Sequence, residues 1–494
     1  MTATVPPTTA APEEGEAAAP PAWRLALPAV VAGVALAVVG LDRRSLWLDE
    51  AFSLGATNQL AETISGTSGT MVGYYLLLTP WTAVSESVGW LRLLSVLCAA
   101  AALLPLAALA RRIGGSPLAV RATVAAALAA QTTRYAQEAR SYALVVLVVT
   151  TSWWLFVRSV EEDDPDRRRR LTQVLAGLGG FVVLAHGLAV LNVVAMAVAA
   201  VACPRRDRAV RVAAPALVVA LAVVGLLLSS GANDVGTWVP ALSADQVATA
   251  AGAYTSPLWW AALPLGALVL LGAVTALRPS GRDPMSVWRD RLAVIWVAVP
   301  VAGLLALSVV RPSFDHRYLI GIIPGVALLL ARGSLAVDGR LPRRAAPIGV
   351  AALVALALLV PGQVEVHTDG YDDWHAAAAL VADGAEPGDG VIFAQAFHRT
   401  PFEAAWRDVP HPGATPDLPG FDRPLGTVRR HDEPRTEVDL AGHDRLWLVV
   451  AAEPGLDADL ADAALARDEV AGRFTVARDV EVGGDVRVLL LVPR

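Results

Sequence analysis

Arg43-Arg44-Ser45-Leu46-Trp47-Leu48-Asp49-Glu50-Ala51-Phe52-Ser53 follows directly on the first long apolar run of the chain. Two adjacent carboxylates therefore sit where a membrane helix leaves the bilayer. Carboxylates are costly in or near hydrocarbon, and membrane proteins keep them there mostly for chemistry or transport. Neighbours on a helix point about 100° apart, so Asp49 and Glu50 are expected to do different jobs. The plainer alternative is an acidic helix N-terminus at the interface, favoured by the helix dipole. The company of Arg43, Arg44 and Trp47 argues for a site.

Working outward, the chain of 494 residues is 55% hydrophobic, with a mean hydropathy of +0.51. That is too apolar, in runs too long, for a soluble protein. A helix needs about 20 apolar residues to cross the hydrocarbon core. On that measure eleven spans are expected, near 25–41, 91–110, 117–133, 142–158, 172–186, 188–203, 212–229, 257–277, 292–310, 319–332 and 346–361. The stretch 71–84 is too short to span and reads as an interfacial helix, where Tyr74, Tyr75 and Trp81 are favourable.

Arginine placement sets the orientation. Arg111-Arg112, Arg167 to Arg170, Arg205-Arg206-Arg208, Arg278 with Arg282, Arg289 and Arg291, and Arg340 with Arg343-Arg344 fall in alternate loops, which are then cytoplasmic. Residues 1–22 form an expected disordered cytoplasmic tail, poor in large apolar side chains. Residues 23–361 form the membrane domain, with a first outer loop at 42–90, and residues 362–494 a small extracytoplasmic α/β domain. In that domain Asp372 to Ala385 reads as a helix ending at Gly384, and the strands are Gly390 to Phe393, Leu446 to Val450 and Val486 to Val492. The two cysteines, Cys98 and Cys203, lie in or at the end of apolar runs and read as inert core thiols. No basic stripe is interleaved with aromatics, which argues against a nucleic-acid partner.

Other polar groups fall on the same expected outer face. Tyr135-Ala136-Gln137-Glu138-Ala139-Arg140-Ser141-Tyr142 joins two spans, and a helix there would put Arg134 and Glu138 on one face as an ion pair. The alternative is a solvated cap. Arg311-Pro312-Ser313-Phe314-Asp315-His316-Arg317-Tyr318 offers an Arg whose planar fork suits a phosphate, unless Asp315 and Arg317 merely satisfy each other. His186 ends one span, and Asn233, Asp234 and Trp238 follow another.

Taken together, Ser45-Leu46-Trp47-Leu48-Asp49-Glu50-Ala51, Tyr74-Tyr75-Leu76-Leu77-Leu78, Gln137-Glu138-Ala139-Arg140-Ser141-Tyr142-Ala143-Leu144 and Arg317-Tyr318-Leu319 resemble the GT-C membrane glycosyltransferases. The match is to the family 39-like group, which includes protein O-mannosyltransferases and the aminoarabinose transferase of lipid A. Asp373-Trp374, Gly388-Asp389 and Val391-Ile392-Phe393 add to it. Many relatives carry His-Pro-Pro ahead of the Tyr-Tyr pair, where this chain has Thr70-Met71-Val72-Gly73.

The resemblance implies a polytopic GT-C fold in a plasma membrane, bacterial by the heavy Ala use and the lack of Lys. It also implies a polyprenyl-phosphate-linked sugar donor, used on the outer face. The family's first-loop acid maps onto Asp49, as general base or acceptor-orienting carboxylate, with Glu50 beside it. Arg44, Tyr74, Glu138, Arg140, Tyr142, His316, Arg317 and Tyr318 are the candidate substrate contacts. The acceptor would be a hydroxyl of a glycolipid, a cell-wall glycan or a protein. Asp49 and Glu50 could share a divalent cation, though no further ligand is evident. The rival reading is a flippase of lipid-linked sugars, which would also keep charges near lipid; internal repeats with broken helices, common in transporters, are not seen.

Overall fold

The computed structural model describes residues 21–66, 69–230, 239–278, 281–340, 349–368, 372–410, 443–451, 468–483 and 486–494. The expected disordered tail, apart from its last two residues, lies outside them, as do Asn233, Asp234, Trp238 and Arg343-Arg344.

Each of the eleven expected runs is largely helical over its described residues. The order is α1 (Ala22–Val38), α2 (Leu48–Asn58), α3 (Leu60–Gly66), α4 (Val72–Thr82), α5 (Val88–Leu128), α6 (Ala130–Ala136), α7 (Tyr142–Glu161), α8 (Pro165–Ala185), α9 (Val190–Val201), α10 (Arg206–Ser229), α11 (Ala244–Ala253), α12 (Trp259–Leu277), α13 (Pro284–Val310), α14 (Ile323–Asp338) and α15 (Val350–Thr368). Among the described residues seven helices are long and apolar enough to cross a membrane. One of them, α5, is two helices in line: the backbone leaves helical geometry at Gly114 and at Gly115, whose φ of 76° favours glycine. Its two arms match two of the expected spans. The apolar helices Ala22–Val38 and Gly187–Val201 are shorter, and α8 opens with the polar run Asp166 to Arg170.

Local chemistry fixes the helix starts. Asp164 accepts hydrogen bonds from the Asp166 and Arg167 amides, with Pro165 at the first helical position. Asp283 and Pro284 repeat the device at α13. Inside lipid, helix association rests on close packing rather than on the hydrophobic effect. Accordingly α12 meets α14 through glycines: a methyl group added at Gly272 would lie 2.0 Å from the Leu329 carbonyl oxygen, and one at Gly333 1.9 Å from that of Leu268. Deeper in, Trp153 of α7 stacks on Trp296 of α13 at 5.0 Å. The Trp296 indole donates to the Gly321 carbonyl at 2.8 Å, which fixes the short turn His316–Ile322 ahead of α14.

After α15 comes a small sheet of four strands, β1 (Gly390–Phe393), β2 (Leu446–Ala451), β3 (Phe474–Gly483) and β4 (Val486–Pro493), in the order β1-β2-β4-β3. β1 and β2 are parallel; the other pairs are antiparallel. α16 (Trp374–Gly384) and α17 (Arg399–Asp408) cover one face, where Trp374, Val381, Phe402 and Trp406 pack on Val391, Trp447 and Val488. Two details differ from the sequence reading. α15 runs on to Thr368, past the boundary set at 361. β3 was not anticipated, because its exposed Thr475, Arg478 and Asp479 break up the apolar signal.

The sheet domain is bonded to the first loop. The Ser45 hydroxyl donates to the Asp372 carbonyl at 2.8 Å and accepts from the Trp374 amide at 3.1 Å. Arg44 donates to the Val366 carbonyl near the end of α15. α17 packs against α2, the helix that carries Asp49.

Candidate active site

The first turn of α2 presents its two acids to opposite partners. Glu50 is fully buried, and its carboxylate takes both arms of the Arg92 guanidinium, at 2.9 and 2.7 Å. It also accepts from the Ala139 amide at 2.7 Å. Arg92 reaches on to the carbonyls of Leu41, Arg44 and Ser45, at 2.9, 3.1 and 3.0 Å. One arginine of a membrane helix thus gathers the first loop and the 137–141 turn around a single carboxylate.

Asp49 points the other way, with a quarter of its side chain exposed. Its carboxylate lies 3.3 Å from Arg140 and 3.8 Å from Arg317. Arg140 also donates to the Asp49 carbonyl and to Ser53 Oγ, at 3.2 and 3.3 Å. Arg317 is shared with Asp315 at 3.0 Å, and its guanidinium lies 5.9 Å from the centre of the Trp47 ring. Residues drawn from positions 47 to 53, 138 to 142 and 315 to 318 therefore meet in one place.

The opposite ends of these helices carry a second charged group. At the far end of α7, Glu161 pairs with Arg112 and Arg289, at 2.5 and 3.6 Å, while its near end is Tyr142. A helix of this length spans about 30 Å. The two sets of charges are thus separated by roughly the thickness of a bilayer's hydrocarbon core.

No protein-family model and no curated protein matches the sequence. Solved structures do match. ArnT from Cupriavidus metallidurans, bound to undecaprenyl phosphate, is similar with a TM-score of 0.58 at 14% identity, over 94% of this chain and 97% of that one. The archaeal oligosaccharyltransferase AglB from Archaeoglobus fulgidus, in complex with an inhibitory peptide and a dolichol-phosphate, is similar with a TM-score of 0.54 at 12% identity. That match covers 78% of this chain and 63% of that one, so the chain spans less than two thirds of the archaeal enzyme.

The chain has the GT-C fold. Within it, the structure separates the candidate residues that the sequence grouped together. Glu50 is buried and held by Arg92, which corrects the expectation that it stands beside Asp49 as a second open carboxylate. Arg44 is directed to the end of α15. Tyr74 is 1% exposed and faces the protein interior; its neighbour Tyr75 is the tyrosine beside Arg140, Asp49 and Ser53. Both rings are buried, so α4 does not offer them to the lipid headgroups as its sequence implied. Trp81 is partly buried and stacks on Trp90 at 4.4 Å.

Glu138 lies past the end of α6, so the expected helical ion pair with Arg134 does not form. The side chain is 6% exposed, and among the described residues its Oε2 has no hydrogen-bond partner. Burial first, and the Glu50 charge second, push its carboxyl up to about 8. At neutral pH it is therefore a neutral acid within the field of Arg317, Arg134 and Arg140. Burial opposes the charge of Arg140, but Asp49 reverses the balance and holds it protonated well above its ordinary range.

His316 sits 3.4 Å from Asp315, and its carbonyl accepts from the Tyr254 hydroxyl at 2.8 Å. Tyr142, His186 and Tyr318 stand in a row of rings beside the arginines.

A cation shared by Asp49 and Glu50 does not fit this geometry. Glu50 is saturated by Arg92 and a backbone amide, and Asp49 already faces two guanidinium groups. Among the described residues no three His, Cys, Asp or Glu side chains gather to hold a metal. Arg92 is the residue the sequence reading overlooked. The signal was there: it is a lone charge early in an apolar helix, and such a charge needs a partner.

Proposed function

We propose that this protein transfers a sugar from a polyprenyl-phosphate-linked donor to a hydroxyl acceptor, with inversion, at the outer face of the membrane. The observation that carries this reading is Asp49: a part-exposed carboxylate bracketed by Arg140 and Arg317, in a chain of GT-C fold. Asp49 is the general base. It takes the proton of the acceptor hydroxyl as that oxygen bonds to the anomeric carbon. The bond from the anomeric carbon to the phosphate oxygen breaks in the same displacement, and the polyprenyl phosphate leaves with the electron pair.

A phosphate is already a good leaving group, so it needs charge stabilisation more than a proton. Arg140 and Arg317 supply that, their forks matched to phosphate oxygens. Glu50 and Arg92 position Asp49 without touching substrate. The acceptor is a hydroxyl of a glycolipid, a cell-wall glycan or a protein. The sheet domain packs on α2, the helix that carries Asp49, and is bonded to Ser45. A transferase is favoured over a flippase because the unusual charges gather around one carboxylate at one end of the bundle.

The test is release of polyprenyl phosphate from a labelled undecaprenyl-phosphate sugar by the purified protein supplied with a cell-envelope extract as the source of hydroxyl acceptors. Asp49→Asn should lower that release by about 10²–10⁴-fold, the usual worth of a general base, while the protein stays folded in the membrane. Near-wild-type turnover in Asp49→Asn removes the assignment, and a protein that moves the donor across vesicles without cleaving it is a flippase.

A further inference from the structure

Beside the charged groups runs a feature that the reaction as described does not use. Tyr135 and Tyr142 lie with ring centres 4.6 Å apart, Tyr142 and His186 at 5.9 Å, and His186 and Tyr318 at 5.2 Å. Four rings from four separate elements thus form one continuous wall. Tyr135 and Tyr142 are buried behind it, while His186 and Tyr318 keep part of their surface uncovered. His186 stands at a break in the chain, where α8 ends in extended backbone before the turn Gly187–Ala189. Its ring is packed between those of Tyr142 and Tyr318.

The wall adjoins the charges by chain connectivity. Tyr318 follows Arg317, which is 3.8 Å from Asp49, and Tyr142 lies two residues after Arg140, which is 3.3 Å from it. The charges acting on His186 are Arg140, Asp315 and Arg317. The site therefore has two halves of different chemistry: a cationic half suited to a phosphate, and an uncharged half of aromatic faces edged with an imidazole and phenol groups. A donor of the proposed class has the same division. Its phosphate is anionic, and its sugar ring is neutral, with C–H faces that lie on aromatic rings and hydroxyls that seek polar edges.

We propose that His186 and Tyr318, backed by Tyr142 and Tyr135, form the platform for the sugar ring of the donor, with the His186 imidazole hydrogen-bonded to one sugar hydroxyl. His186 is then a residue that sets which sugar is transferred. A site that uses a hydrogen bond to recognise a hydroxyl discriminates against sugars lacking it, because its polar group is otherwise left unpaired. This inference rests on the transferase reading above and deepens it.

The experiment compares wild type, His186→Ala and His186→Phe with a panel of undecaprenyl-phosphate-linked mannose, glucose, galactose and arabinose, and with undecaprenyl phosphate carrying no sugar. His186→Ala should raise KM for the preferred donor about tenfold or more, the loss of a stacking contact with a hydrogen bond. Its affinity for the sugar-free lipid phosphate should stay within about twofold of wild type, a change below 1 kcal/mol. His186→Phe keeps the ring and should recover most of the KM while flattening the preference among the four sugars. An unchanged KM in His186→Ala overturns the platform, and so does an equal loss of affinity for the sugar-free lipid. His186→Phe indistinguishable from His186→Ala in KM overturns the stacking half. A wild-type protein that releases undecaprenyl phosphate from none of the donors refutes the transferase reading, and the platform falls with it.

Discussion

Replacing Arg92 by methionine tests the arrangement on which Asp49 depends. The substitution keeps an unbranched side chain in the helix but leaves the Glu50 carboxylate in a site where its side chain is 0% exposed and that of Arg92 is 4% exposed. Breaking a buried ion pair from one side costs about 3–5 kcal/mol, because the remaining charge loses its compensation. Here the Ala139 amide still serves Glu50, which places the cost toward the lower end. Three carbonyls, of Leu41, Arg44 and Ser45, lose a donor as well, which places it toward the upper end.

For a chain of this length the scaling of melting temperature with size gives ~1–2 °C per kcal/mol, hence a fall of ~3–10 °C in detergent. The informative comparison is with the double variant Arg92→Met/Glu50→Gln. It removes the stranded charge, so it should melt above Arg92→Met. Both variants should transfer sugar poorly, because the first loop that orients Asp49 has lost its tether. Arg92→Met melting with wild type, or the double variant melting below the single one, refutes the claim that this pair holds the loop.

Further consequences can be measured with the same preparations. Arg317→Ala should weaken donor binding by about 10–100-fold, the worth of a hydrogen bond to a charged group, and more than Arg317→Lys; equal KM in both variants and wild type removes Arg317 from the phosphate site. Glu138 has a carboxyl raised to about 8, so it is neutral at pH 7 and gains its charge as the pH rises through that value. The folded state then holds a proton that the unfolded chain has released, so stability falls between the ordinary carboxyl range and about pH 8. The new negative charge also opposes an anionic donor: KM should climb above pH 8 in wild type, and Glu138→Gln should flatten that limb. A valine at Gly272 has no room against the Leu329 backbone and should cost more than the ~1–3 kcal/mol typical of overpacking. Gly266→Val in the same helix meets nothing within 4 Å and should melt with wild type.

What could be read in advance follows from the kind of signal each feature leaves. The helical, membrane-type fold is legible because crossing a membrane demands long uninterrupted apolar stretches. That Asp49, Arg140 and Arg317 come together could be anticipated because charges at span ends are rare and need partners. Sequence could not say which of two neighbours faces Asp49 and Arg140. Tyr74 and Tyr75 look alike in the chain, and packing alone turns Tyr75 toward Arg140. The edge strand β3 was hidden because its exposed face is polar and its core contribution is small.

The acidic pair is the deeper case. Its expected difference in role follows from helical geometry, yet the assignment of those roles depends on Arg92, distant in sequence and buried in a helix that otherwise reads as plain membrane span. A carboxylate saturated by a bidentate guanidinium and a backbone amide has little left with which to accept a substrate proton. One flanked by two arginines at 3.3 and 3.8 Å, with an open side, retains that capacity. Each acid makes sense only with the other: Glu50 is spent on holding the Ala139 amide, and the next residue, Arg140, aims at Asp49. The adjacency of the two acids in sequence is therefore a mechanical link, which transmits the buried anchor at Glu50 to the carboxylate one residue before it.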